Sequence, residues 1–130
     1  MDSAKNEKFE KEFFEEYSQK EASEPSAHEF RSDFLAHPDH ALIYAGVSLL
    51  GGLSGRRTLL LGCGTGKDVW YFTNNGAEVF AMDIAVNSLK LAHWGAVKNG
   101  YSEKAYFQAA SAYSLCYRTE SFDRVYGHAI

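Results

Sequence analysis

The residues best placed to do chemistry gather in one stretch, Thr58-Leu59-Leu60-Leu61-Gly62-Cys63-Gly64-Thr65-Gly66-Lys67-Asp68. Apolar and β-branched residues drive into closely spaced glycines, the pattern of a buried parallel strand turning into a helix. Gly62, Gly64 and Gly66 permit positive φ and remove the Cβ atoms that would keep a ligand off the backbone. The loop amides and the positive end of the following helix would then face an electron-rich ligand. The chemistry predicted is the holding of a nucleoside.

Asp83 is the second candidate. It ends an apolar run roughly 20 residues beyond Gly62, where a carboxylate can accept hydrogen bonds from both ribose hydroxyls of a nucleoside. Taken alone, Asp83 could equally be the cap of the next helix. Two common nucleotide loops fail on specific positions. A dinucleotide loop needs G-x-G-x-x-G, but the third glycine comes one residue early, and Lys67 holds its usual place. A phosphate-binding P-loop needs G-x-x-x-x-G-K-[S/T]; Leu61 stands at its first glycine and Asp68 at its hydroxyl.

Other reactive residues are isolated. Cys63 lies near a helix N-terminus, which could lower its pKa, but no partner for nucleophilic catalysis is visible, so it reads as a small loop residue. His37 and His40 flank Pro38-Asp39 with no further ligands to complete a metal site, so no metal is expected. His128 is the titratable residue nearest the expected reaction centre and reads either as a base or substrate contact or as a solvated chain end.

The elements that must position these residues follow from periodicity. Phe9, Phe13, Phe14 and Tyr17 recur at helical spacing in a Lys/Glu-rich segment, predicting an amphipathic helix that covers core or closes over a ligand. Residues 18–37 read as loop with a short helix near Glu29 to Ala36. A helix begins near Pro38-Asp39 and ends at Gly51-Gly52. Strands are expected at Arg57–Leu61, Glu78–Met82 (closing at Asp83), Ala105–Gln108 and from Phe122. Helices are expected at Asp68–Asn75, before Gly76, and at Ala85–Asn99, before Gly100. Alternation of this kind predicts an α/β fold, a parallel sheet with helices on both faces and the first strand central. The glycine loop, Asp83 and the segment after Gln108 then share the carboxyl edge, where such sheets bind ligands.

Composition sets the frame. A chain of 130 residues, 45% hydrophobic, supports one modest core and is too apolar to be disordered. No apolar run approaches the ~20 residues of a spanning helix, and the N-terminus lacks the pattern of a secretory signal. Two cysteines fit a reducing cytoplasm, and a net charge of −4 offers nucleic acid no general attraction. A cytoplasmic, soluble protein is expected.

Leu59-Leu60-Leu61-Gly62-Cys63-Gly64-Thr65-Gly66 resembles the first motif of the class I S-adenosylmethionine-dependent methyltransferases. Val79-Phe80-Ala81-Met82-Asp83-Ile84 resembles their second-strand motif, and Ser121-Phe122-Asp123-Arg124-Val125 the entry to their fourth strand. The resemblance covers roughly residues 38–130 and implies a Rossmann-like doubly wound sheet. The chain would hold the cofactor-binding half of a seven-stranded fold, with strands in the order 3-2-1-4. It divides the chain into an N-terminal helical extension or lid (1–37) and a cofactor-binding domain (38–130), and implies a chain truncated after the fourth strand.

Carried over, the resemblance sets Gly62, Cys63, Gly64 and Gly66 against the methionine and ribose part of S-adenosylmethionine, Asp83 on the ribose and Ile84 on the adenine. Counting back from Leu115, the position where the family uses an aspartate for the adenine amino group falls at Ser111, beside Ala112. Leu60 stands where many relatives carry an acidic residue. The activity implied is methyl transfer to a small-molecule acceptor, yielding S-adenosylhomocysteine and needing no conspicuous catalytic residue. The fourth strand lacks the Asn/Asp-Pro-Pro-Tyr/Phe segment of base-modifying relatives, and its open edge implies self-association. The competing readings are a cofactor-binding remnant without turnover and a nicotinamide-dependent oxidoreductase.

Overall fold

The computed structural model describes residues 5, 7–9, 11, 12, 15, 16, 41–64 and 66–127. Helices α1 (Ala41–Ser48), α2 (Lys67–Asn74) and α3 (Val86–Lys98) alternate with strands β1 (Arg57–Leu61), β2 (Glu78–Asp83), β3 (Ala105–Ala109) and β4 (Arg124–Gly127). All strand pairs are parallel, and the sheet order is β3-β2-β1-β4. The expected Rossmann-like half-sheet is therefore present. The described residues between 5 and 16 are helical, whereas the short helix expected at 29–36 and the helix start at Pro38 lie outside the described residues.

Each helix forms for a local reason and buries a defined stripe. In α2, Val69, Phe72 and Thr73 are buried, an i, i+3, i+4 pattern, and Asn75 and Gly76 (φ 85°) end the helix. In α3, Leu89, Ala92 and Ala96 stand at i, i+3, i+7 on one face, with small side chains that let the helix lie close. The polypeptide then turns through a 3₁₀ segment at Ser102–Lys104 that the periodicity does not announce.

In parallel strands, register partners point to the same face. Leu60, Ala81 and Tyr126 share one face, and so do Val79 and Ala105. The core forms on that side, around Phe72, Val69, Leu60, Val79 and Leu89. All three helices reach it. A Cβ on Gly46 of α1 would lie 3.3 Å from the Tyr126 ring, Phe72 of α2 is 5.1 Å from that ring, and His93 of α3 is 5.7 Å from Phe107. On the opposite face Phe80 stacks on Tyr106 at 4.9 Å and meets Phe122 at 5.3 Å and Tyr117 at 6.4 Å. Helices on both faces were the expectation from alternation alone. Among the described residues, the second face is instead covered by the 110–123 connection, through Tyr117 and Phe122.

Two clasps hold β4 to the sheet. Asp123 donates its N–H to the Arg57 carbonyl at 2.8 Å and accepts the Arg57 N–H on its carboxylate at 2.9 Å. The Arg124 Nε donates to the Leu50 carbonyl at 2.7 Å, tying the end of α1 to the same strand.

Candidate functional site

The carboxyl ends of the strands carry the glycine loop, Asp83 and the segment after β3, as the sequence predicts. Gly62, Gly64 and Gly66 all have positive φ, at 66°, 55° and 91°. The roles of the last two then part. Among the described residues, a Cβ on Gly64 would meet nothing within 4 Å, so the backbone there borders space that none of them fills. A Cβ on Gly66 would fall 2.8 Å from the Ala92 Cβ and 3.0 Å from its Cα. Gly66 is therefore a helix-packing glycine, bringing the start of α2 onto α3, while Gly64 opens the cradle.

Asp83 is buried and braces this loop. Its Oδ2 accepts the Gly64 N–H and its Oδ1 accepts the Ala85 N–H, both at 2.9 Å. One carboxylate thus fixes the loop after β1 and starts the turn into α3. The capping role and the loop-facing position coexist, because each carboxylate oxygen retains a second acceptor site. The Ala110 N–H donates to the Asp83 carbonyl at 3.1 Å, which brings the 109–114 turn beside Asp83. Ser111 lies in that turn, where its Oγ accepts the Tyr113 N–H at 3.1 Å, and Ala112 is exposed next to it. Ile84 is half-buried between Asp83 and α3.

Three of the loop amides are spent on the protein's own acceptors. The Cys63 N–H donates to the Met82 carbonyl at 3.0 Å, the Gly64 N–H goes to Asp83, and the Gly66 N–H returns to the Cys63 carbonyl at 3.1 Å. These donors hold the loop's shape. Burial, then the Asp83 and Asp68 carboxylates, push the Cys63 thiol well above its ordinary value. The lowered pKa considered for a cysteine near a helix N-terminus is overturned, because desolvation and like charge outweigh the helix dipole.

Two outcomes follow for Cys63. A thiol reagent at pH 8 should modify exposed Cys116 and leave Cys63 untouched until the chain unfolds, as mass spectrometry of the peptides would show. Because the folded-state pKa is raised, the stabilisation from keeping this thiol protonated is complete below its ordinary 9.0. It is lost as pH rises above that value, so the melting temperature should fall in alkali.

The N-terminal residues reach the same edge. Glu15 accepts the N–H of Asn87, in the first turn of α3, at 3.1 Å and 3.4 Å on its two oxygens. This satisfies a helix N-terminal donor with a carboxylate far away in the chain. Neither His37 and His40 nor His128 is among the described residues, and no group of three or more His, Cys, Asp or Glu that could hold a metal occurs among those described. No helix of the described residues is long and apolar enough to cross a membrane.

Such a site suits a nucleoside. The space above Gly64 admits the backbone-hugging part of the ligand, and Asp83 offers acceptors for hydroxyls. A phosphate would stand near the Asp83 carboxylate and find three of the loop amides already bonded.

Comparison with known proteins agrees. Residues 59–130 match the family described as a methyltransferase domain. The methyltransferase GfsG of Streptomyces halstedii is 32% identical over 74 residues, covering 56% of this chain and 27% of that protein. A solved S-adenosylmethionine-dependent methyltransferase from Mesorhizobium loti shares 26% identity with a TM-score of 0.57, over 65% of this chain and 37% of that one. Phosphoethanolamine N-methyltransferase 1 of Haemonchus contortus, solved with phosphoethanolamine and S-adenosylhomocysteine, has the same fold. Its TM-score is 0.71 at 20% identity, over 98% of this chain and 26% of that one. The chain belongs to the methyltransferase-domain family, of the class I S-adenosylmethionine-dependent type. It spans 27% and 17% of the length of the two curated relatives it matches.

Proposed function

We propose that this chain binds S-adenosylmethionine over the glycine loop and supports methyl transfer to a small-molecule acceptor. The observation that carries the reading is the brace from Asp83 to Gly64, beside space that no described residue fills, in a loop that the Asp83 and Asp68 carboxylates act on. When bound, the cofactor supplies a methyl group already activated on a sulfonium. The protein's part is to orient, to exclude water and to hold charge.

Residue roles follow from position. Gly62 and Gly64 line the methionine and ribose side, and Cys63 sits between them as a protonated, buried loop residue. Gly66 acts indirectly by packing α2 on α3. The remaining acceptor sites of Asp83 take the ribose hydroxyls. Ile84 offers an apolar contact to the adenine, and Ser111 and Ala112 border its amino edge through a neutral, weaker contact than a carboxylate would give. The N-terminal extension, 1–37, is read as a lid, and its Glu15 accepts the Asn87 N–H in the first turn of α3. A net charge of −4 favours a small acceptor over a polyanion.

Isothermal titration with S-adenosylmethionine, S-adenosylhomocysteine and NADH tests the reading. Saturable heat with the first two and none with NADH is expected. Heat with NADH alone, or none with any ligand at millimolar concentration, overturns it. Binding without methyl transfer to a panel of small amines, phenols and thiols would favour a cofactor-binding module that does not turn over.

A further inference from the structure

The geometry points to Asp68 as the residue that holds the α-ammonium group at the methionine end of the cofactor, a step that rests on the cofactor reading above. The ligand's far end carries a cation, and a carboxylate is the protein group that pairs with it. The position just before the glycine loop cannot supply one: Leu60 is 2% exposed and points into the helix-covered core. Asp83 already spends an acceptor site of each oxygen on the backbone.

Asp68 is placed differently. It lies in the first turn of α2, two residues beyond Gly66, and is half-buried. Phe72 is four residues further on, so the two share one face of the helix. The Phe72 ring meets the Tyr126 ring at 5.1 Å, which fixes where that face looks: toward the carboxyl end of β4. Tyr126 is the register partner of Leu60. A charge missing from strand β1 is therefore delivered from helix α2, one turn above the same spot. Two electrostatic effects agree with this placement. The Asp68 carboxylate adds to burial in raising the Tyr126 phenol to about 12, and it also raises the Cys63 thiol in the loop. Asp68 thus lies in the first turn of α2, on the side of that helix that meets β4.

Three ligands separate the candidate roles. S-adenosylmethionine carries both ammonium and sulfonium, S-adenosylhomocysteine only the ammonium, and 5′-methylthioadenosine neither. Calorimetry on Asp68→Asn should show affinity for the first two falling together, by about tenfold, with 5′-methylthioadenosine unchanged. Asp68→Glu, which keeps the charge, should recover most of the loss, and both variants should melt near the unsubstituted chain. A fall for S-adenosylmethionine alone would assign Asp68 to the sulfonium and overturn the proposal. So would an equal fall for all three ligands, the mark of a merely structural role, or no change for any. If the unsubstituted chain binds none of the three, it is the cofactor reading itself that fails.

Discussion

Asp83→Ala should lower stability by roughly 3 kcal/mol and abolish binding of S-adenosylhomocysteine, the first read by urea unfolding and the second by calorimetry. The magnitude follows from what the carboxylate does. It accepts charge-assisted hydrogen bonds from the N–H groups of Gly64 and Ala85 at 2.9 Å each, in a side chain that is 8% exposed. Removing it leaves two donors without partners, and each buried unsatisfied donor costs about 1–3 kcal/mol. Asp83→Asn separates the functions. The amide keeps one acceptor oxygen but sets its NH₂ against the other backbone donor, so about half of the stability loss should remain. Binding should still fall by more than tenfold, because the ribose hydroxyls lose acceptors. An Asp83→Asn chain that binds at full strength would leave Asp83 as a brace alone.

The second large effect is expected at Gly66. Gly66→Ala places a Cβ 2.8 Å from the Ala92 Cβ and 3.0 Å from its backbone, at a residue whose φ is 91°. Left-handed strain of about 1 kcal/mol adds to an overpacking cost of about 1–3 kcal/mol. The melting temperature should drop by roughly 10 °C. Ala92→Gly in the same chain should return part of that loss, and a double-mutant cycle would show positive coupling between the two sites. Gly64→Ala is the contrast. With φ 55° and nothing within 4 Å among the described residues, it should cost only about 1 kcal/mol, yet its methyl group projects into the ligand's space and should weaken binding severely. Loss of stability at one glycine and of binding at the other would establish that adjacent members of the loop have different duties.

Those duties were only half legible in the sequence. Spacing placed all three glycines and Asp83 on the carboxyl edge, because strand and helix periods are local and survive into the fold. Spacing could not tell that Gly66 serves Ala92, since that contact is made between helices whose separation depends on the whole sheet. The loop amides show a similar limit: a glycine-rich turn looks like a set of open donors until the partners of its N–H groups are known, and here three have partners within the protein. Met82, Asp83 and Cys63 itself take them. Cys63 was misread because the charges that act on it, Asp83 and Asp68, come together only in three dimensions. One signal for Asp68 was present in the text of the chain: an acidic residue four positions before Phe72 on a helix whose buried stripe runs through Phe72. Helices on both faces were inferred from alternation, yet among the described residues the 110–123 connection forms no helix. It lays Tyr117 and Phe122 on the sheet instead.

The clasp between Arg57 and Asp123 also orders events in time. Pairing β1 with β2 closes a loop of about 20 residues, whereas pairing β1 with β4 closes one of 66. Loop-closure entropy makes the second event costlier by roughly 1 kcal/mol, against the return of only a four-residue strand. The β1–α2–β2 unit, with Asp83 already bracing Gly64, should therefore assemble first, and β4 should be the last strand to join and the first to leave. Native-state hydrogen exchange would read this directly, with the amides of β4 exchanging through a lower-energy opening than those of β1 and β2. The glycine loop is then formed before β4 joins, and on the reading proposed above a ligand's methionine end would draw the late strand into place.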